Sequence, residues 1–94
     1  MMNNDPQGQQ MDQLAQQDPS RRAQEAMLHM AGDMQAQGHA HEAIDMYTKL
    51  LDDYPDSQAS RAAANALLDL AQKLEQSGQP RLALEIYQIV ERYQ

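Results

Sequence analysis

The 94-residue sequence has no cysteine, no tryptophan and no phenylalanine. Without cysteine there can be no disulfide, no thiolate zinc site and no cysteine nucleophile. The only aromatic residues are four tyrosines. Val, Ile and Thr are also scarce, which speaks against an all-β fold. Basic residues are few: Lys plus Arg is 7 against 14 for Asp plus Glu, a net charge of −7. That argues against a nucleic-acid partner or an anionic membrane surface, both of which want clustered positive charge. No apolar run approaches the ~18 residues of a membrane-spanning helix, so no membrane insertion is expected. The first 25 residues are polar and do not read as a signal peptide, so the expected location is the cytoplasm. No Gly-rich phosphate loop and no GxSxG elbow is present, so no enzyme, no catalytic residue and no cofactor is expected.

What is present is Ala, Leu and Met, all strong helix formers. Residues 1–17 are Gln-rich and offer only Met11, Leu14 and Ala15 as apolar anchors after the initial methionines. Such a segment buries too little to offset chain entropy and is expected to be a flexible tail. The domain is expected to span 18–94. Asp18-Pro19 reads as a helix start, because Asp caps free amides and Pro suits the first turn. Ala23, Ala26, Met27, Met30, Ala31 and Met34 follow at helical spacing, and Gly38 ends the run. A second helix from about Ala40 presents Ala43, Ile44, Tyr47, Leu50, Leu51 and Tyr54, and Pro55 ends it. Asp56-Ser57 supplies a fresh cap for a third helix reaching about Ser77, with Ala63, Ala64, Leu67, Leu70, Ala71 and Leu74 on one face. After Gly78 and Pro80, a fourth helix is expected from Leu82 to Tyr93. Loops this short make neighbouring helices antiparallel.

The chain repeats itself. GHAHEAIDMY at 38–47 matches GQPRLALEIY at 78–87, an offset of 40, and Met27, Met30, Ala31 and Met34 align with Leu67, Leu70, Ala71 and Leu74. This pattern of small and large residues resembles the tetratricopeptide repeat family. The resemblance covers about 70 of the 94 residues. One unit runs from about 24 to 57, and a second from about 64 to 94. It implies an all-α fold of two helix–turn–helix repeats in a short right-handed solenoid. The run YPDSQASRAA, before a lengthened third helix, is similar to repeats of bacterial TolA-binding and outer-membrane-assembly lipoproteins. Were the chain part of such an envelope protein, its location would be the periplasm.

The family resemblance implies a non-catalytic adaptor or scaffold whose groove is lined by the first helix of each repeat. The corresponding positions are Glu25, Leu28, Gly32 and Gln35, then Asn65, Leu68, Gln72 and Glu75. Members that clamp a C-terminal carboxylate place Lys and Asn there, whereas Leu28 and Gly32 stand here. The candidate partner-binding residues are therefore Leu28, Gln35, Asn65, Leu68, Gln72 and Glu75, for a neutral or basic peptide. His29, His39 and His41 are too few and too scattered for a metal site, which needs three or four ligands in fixed geometry. Met27, Met30 and Met34 read as core filling, and Met46 lies off the main apolar stripe.

The fourth helix carries more apolar surface than one stripe needs. Where the second helix has Glu42, Met46, Lys49 and Asp53, the fourth has Leu82, Ile86, Ile89 and Tyr93, in addition to a core stripe of Ala83, Leu84, Tyr87 and Val90. A terminal repeat should be polar on its outer side. Leu82, Ile86, Ile89 and Tyr93 are thus the expected oligomer interface, of a homodimer or of a larger secretion or envelope assembly into which this end docks; were the chain an excised fragment of a longer protein, the next repeat would cover this face instead.

Overall fold

The computed structural model describes residues 19–93. Four helices succeed one another: α1 (Pro19–Ala36), α2 (Ala40–Asp53), α3 (Gln58–Gln76) and α4 (Pro80–Glu91), and there is no strand among the described residues. Asp18, expected as the first cap, and the segment 1–17 lie outside the described residues. The fourth helix begins two residues before the expected Leu82. Pro80 sits in its first turn, where a missing N–H leaves no bond unmade.

Both hairpin turns are built the same way, forty residues apart. Gly38 has φ +85° and Gly78 φ +84°. In the first turn the Gly38 amide donates to Gln35 O, and the His39 amide to Met34 O at 2.8 Å. In the second, the Gly78 amide donates to Glu75 O, and the Gln79 amide to Leu74 O at 2.8 Å. These bonds satisfy carbonyls that the helix end would otherwise orphan, and the left-handed residue between them is best left to glycine. The link from α2 to α3 uses Asp56 at φ +64° instead, a conformation that Asp tolerates. Ser57 then caps α3, its Oγ accepting from the Ser60 amide at 2.9 Å.

The helices form two hairpins, α1 with α2 and α3 with α4. α2 packs on α3 to join them, and α1 also reaches α3. Ala31, Ala43, Ala71 and Ala83 are fully or almost fully buried, one per helix, and let the backbones approach closely. Leu50, Leu67 and Ile86 fill the spaces between them.

Three apolar residues depart from the sequence expectation. Ile86, assigned to an outer interface, is 0% exposed and belongs to the chain's own core. It forms one buried stripe of α4 with Ala83 and Val90, so a polar substitution there would unfold the hairpin rather than probe a surface. Conversely, Leu84, assigned to the core stripe, is 54% exposed, and Met30, read as interior, is 47% exposed.

Candidate functional site

The six expected groove residues do not converge on one site. Leu28 and Leu68 are half-buried against the core. Asn65, Gln72 and Glu75 are exposed. Gln35 and Glu75 are each engaged by the tyrosine of their own hairpin. Tyr47 Oη donates to Gln35 Oε1 at 3.2 Å, and Tyr87 Oη donates to Glu75 Oε2 at 2.6 Å. Both residues thus tie the first helix of a repeat to its second. The phenols respond to these surroundings. Burial pushes the Tyr47 hydroxyl above the usual tyrosine value. For Tyr87 the hydrogen bond to the Glu75 carboxylate raises it most, with burial and the carboxylate charge acting in the same direction.

Two depressions in the surface divide Leu28, Asn65 and Leu68, and Gln72 lines neither. Leu28 lines one of about 260 Å³, with Arg21, Gln24 and Glu25 from α1 facing Gln58, Ala59 and Ala62 at the start of α3. Asn65 and Leu68 line another of about 210 Å³, with Arg61 and Ala64 beside them on α3 and Val90 and Tyr93 across from them. Leu51 and Pro55, at the end of α2, complete its wall. By the forty-residue offset, Arg61, Ala64, Asn65 and Leu68 are the counterparts of Arg21, Gln24, Glu25 and Leu28. The second depression therefore presents the same register of the repeat as the first. In the first, the start of the next repeat forms the opposite wall. In the second, no later helix among the described residues takes that part.

The expected interface on α4 is rearranged in the same way. Leu82 and Ile89 are half-buried and pack against the core. Their counterparts Glu42 and Lys49 border a shallow depression with Met34 and Met46. The apolar residues of the second hairpin thus thicken the contact between its own two helices, and only Tyr93 of the four, 38% exposed, is a substantially free surface. The truly open apolar edge of α4 is Leu84, which the repeat pattern does not single out. Its counterpart Ile44 is aliphatic too, yet Ile44 is 6% exposed. The neighbouring helix makes the difference: α3 packs on α2, whereas no later helix among the described residues packs on α4.

Surface charges are arranged in local pairs. Arg21 meets Glu25, Lys49 meets Asp53 and Lys73 meets Asp69, each four residues apart on one helix. The Lys49 ammonium is held above its usual value, first by its hydrogen bond to Asp53. Exposed pairs of this kind are worth at most ~1 kcal/mol. His29 Nδ1 lies 3.4 Å from Asp33, also four residues on, and His39 and His41 are exposed at the α1–α2 turn. Among the described residues no group of three or more His, Cys, Asp or Glu is disposed to hold a metal ion, and no helix is long and apolar enough to cross a membrane.

Residues 25–57 match the tetratricopeptide repeat family. The matched span contains most of α1, all of α2 and the turn to Ser57. α3 and α4 repeat its turn geometry and its tyrosine bond at the forty-residue offset, in keeping with a two-repeat fold of that type. No curated protein and no solved structure matches the chain.

Proposed function

We propose that this chain is a non-catalytic protein–protein interaction module. It acts as a small adaptor that self-associates through the open end of its second repeat and offers the outer surface of α1 and α3 to a neutral or basic segment of a partner protein. The tetratricopeptide match supports an interaction module, since this repeat is a scaffold for protein partners and is generally without catalytic activity. The observation that carries self-association is the contrast between Ile44, buried at 6%, and Leu84, exposed at 54%, at equivalent positions. An aliphatic side chain left in water, one helical turn before the half-buried Tyr87, is a surface suited to another protein.

Light scattering on the purified chain tests the reading. The mass should rise with concentration, and Leu84→Lys should hold it at one chain with helicity unchanged. A wild-type mass of one chain at every concentration contradicts self-association.

A second reading rests on the Tyr54-Pro55-Asp56-Ser57 run and the lengthened α3, similar to repeats of envelope proteins. In it, the same end docks a neighbouring chain of a larger secretion or envelope assembly, in the periplasm rather than the cytoplasm. A stable, monodisperse self-associated species favours the adaptor. A chain that forms none, yet binds through Leu84 to a subunit of such an assembly, favours the second.

A further inference from the structure

The contact between the two repeats has two halves, and each half occurs twice in the chain. One half is the side of α2 that meets α3: Leu51 lies there beside Ser60, Arg61 and Ala64, and Ile44, seven residues earlier, shares its helix face. The other is the side of α3 that meets α2. It can be read from what α3 buries and α1 does not. Ala59, Ala63 and Leu70 are buried, whereas their counterparts Pro19 and Met30 are exposed and Ala23 is half-buried. These positions recur at i, i+4 and i+11, along one face of a helix. Leu70 is 6% exposed and Met30 is 47% exposed. On the other half, Ile44 is 6% exposed and Leu84 is 54% exposed. Thus two of the three large apolar residues left exposed on this domain, Met30 and Leu84, are the repeat counterparts of two residues buried where the hairpins meet. They lie on opposite ends of the described stack: Met30 on the first described helix, Leu84 on the last.

We infer that the occupant of the open end is a second copy of this chain, stacked head to tail, with α4 of one copy against α1 of the next in the way α2 lies against α3. The inference rests on the self-association proposed above and specifies its geometry. It differs from a two-fold dimer, in which α4 would meet α4. Charge is compatible with the head-to-tail form. Leu51, buried within the chain, is replaced at the open end by Glu91. Leu51 shares its depression with Ser60, Arg61 and Ala64, whose counterparts on α1 are Ser20, Arg21 and Gln24. Stacking therefore brings Glu91 of one copy beside Arg21 of the next. It also sets Glu91 at the N-terminal end of α1, where the helix dipole favours a carboxylate. Ala62 faces Arg21 across the first depression, so the same stacking turns its counterpart Arg22 toward Arg61, and the ion pair available at this end is the one between Glu91 and Arg21. An α4–α4 contact would offer Glu91 the Arg81 or Arg92 of a second α4 instead, so it is the equivalence of Met30 with Leu70, and not charge, that selects the stack. A head-to-tail pair keeps one free end of each kind, so assembly continues beyond two copies, into a ring or a filament.

The test uses two variants of the full chain. Met30→Lys blocks the α1 end and Leu84→Lys blocks the α4 end. Both positions are about half exposed within one copy, so circular dichroism should show unchanged helicity. In sedimentation velocity, the wild type should grow past twice the chain mass as concentration rises, and each variant alone should remain at one chain mass. An equimolar mixture of the two should give a 1:1 species of twice the chain mass, because each supplies the end the other lacks. If Met30→Lys associates like the wild type while Leu84→Lys does not, the contact is two-fold, so the stacking inference falls and self-association stands. If both variants are monomeric and the mixture stays monomeric, the stacking inference falls as well. A wild type that is monomeric at millimolar concentration overturns both, leaving the face to the chain's own residues 1–17 or to a different protein.

Discussion

Tyr87 donates its phenolic hydrogen to Glu75 across the α3–α4 hairpin at 2.6 Å, the same bond that Tyr47 makes to Gln35 across the α1–α2 hairpin at 3.2 Å. The two bonds differ in whether the acceptor is charged. A carboxylate holds the phenolic proton more firmly, because ionising the tyrosine would set two negative charges side by side. Both phenols titrate above the usual tyrosine value, Tyr87 chiefly through its bond to Glu75 and Tyr47 through burial. NMR titration of ring-labelled tyrosine should therefore show Glu75→Gln moving the Tyr87 transition to lower pH and leaving that of Tyr47 in place. A group whose folded-state value is raised contributes stability that is present below the unfolded value and is lost as pH climbs through the folded one. The wild type should accordingly lose stability in the alkaline range above the usual tyrosine value, and Tyr47→Phe should flatten that loss.

The three described glycines should respond differently to alanine. Gly38 and Gly78 have positive φ, and a Cβ at either would meet nothing within 4 Å. The cost of Gly38→Ala or Gly78→Ala is then conformational alone, about 1–2 kcal/mol for a left-handed residue. Gly32 lies inside α1, and a Cβ there also meets nothing within 4 Å. Gly32→Ala should stabilise the domain by about 0.8–1 kcal/mol, the helix-interior difference between the two residues. Urea denaturation of the three variants checks the opposite signs.

Ile86 and Leu84 are two residues apart on α4 and should behave as a core residue and a surface residue. Ile86→Ala removes a fully buried side chain and should cost about 2–5 kcal/mol. Leu84→Ala in dilute solution should change stability by no more than about 0.5 kcal/mol. Chemical denaturation at low protein concentration separates them, because association would otherwise add stability to the wild type through Leu84.

Much of this architecture is legible in the residues. Pro19, Gly38, Pro55, Ser57, Gly78 and Pro80 place the helix ends within two residues, and the small–large spacing around Ala31, Ala43, Ala71 and Ala83 marks where helices approach. The face of α4 is not legible in the same way. Leu82, Ile86 and Ile89 stand where α2 has Glu42, Met46 and Lys49, and such a difference looks like a change of surface. It is instead a change inside the hairpin: Met46 borders Met34 of its partner helix, and Ile86 at the same position is fully buried. The open face is hidden for the opposite reason. Ile44 and Leu84 are chemically alike, and only the presence of α3 beside one of them makes their environments differ. Periodicity reports which residues share a side of a helix, but not whether a neighbour covers that side. The groove pattern turns Gln35 and Glu75 toward a partner. The tyrosines twelve residues on bind them instead, a link visible only as two equal spacings, 35 to 47 and 75 to 87.

The central claim is that Leu84 stands in water in a single copy and is covered by another protein chain when copies meet. The sequence has no cysteine, so one introduced thiol is unique. Leu84→Cys and Ile44→Cys, each in the full chain, can be followed by the rate of reaction with a thiol reagent. At high dilution the thiol at 84 should react at close to the rate of a free peptide, and should slow as protein concentration rises. The thiol at 44 should react slowly at every concentration. A thiol at 84 that is as protected as the one at 44 in the most dilute sample contradicts the account.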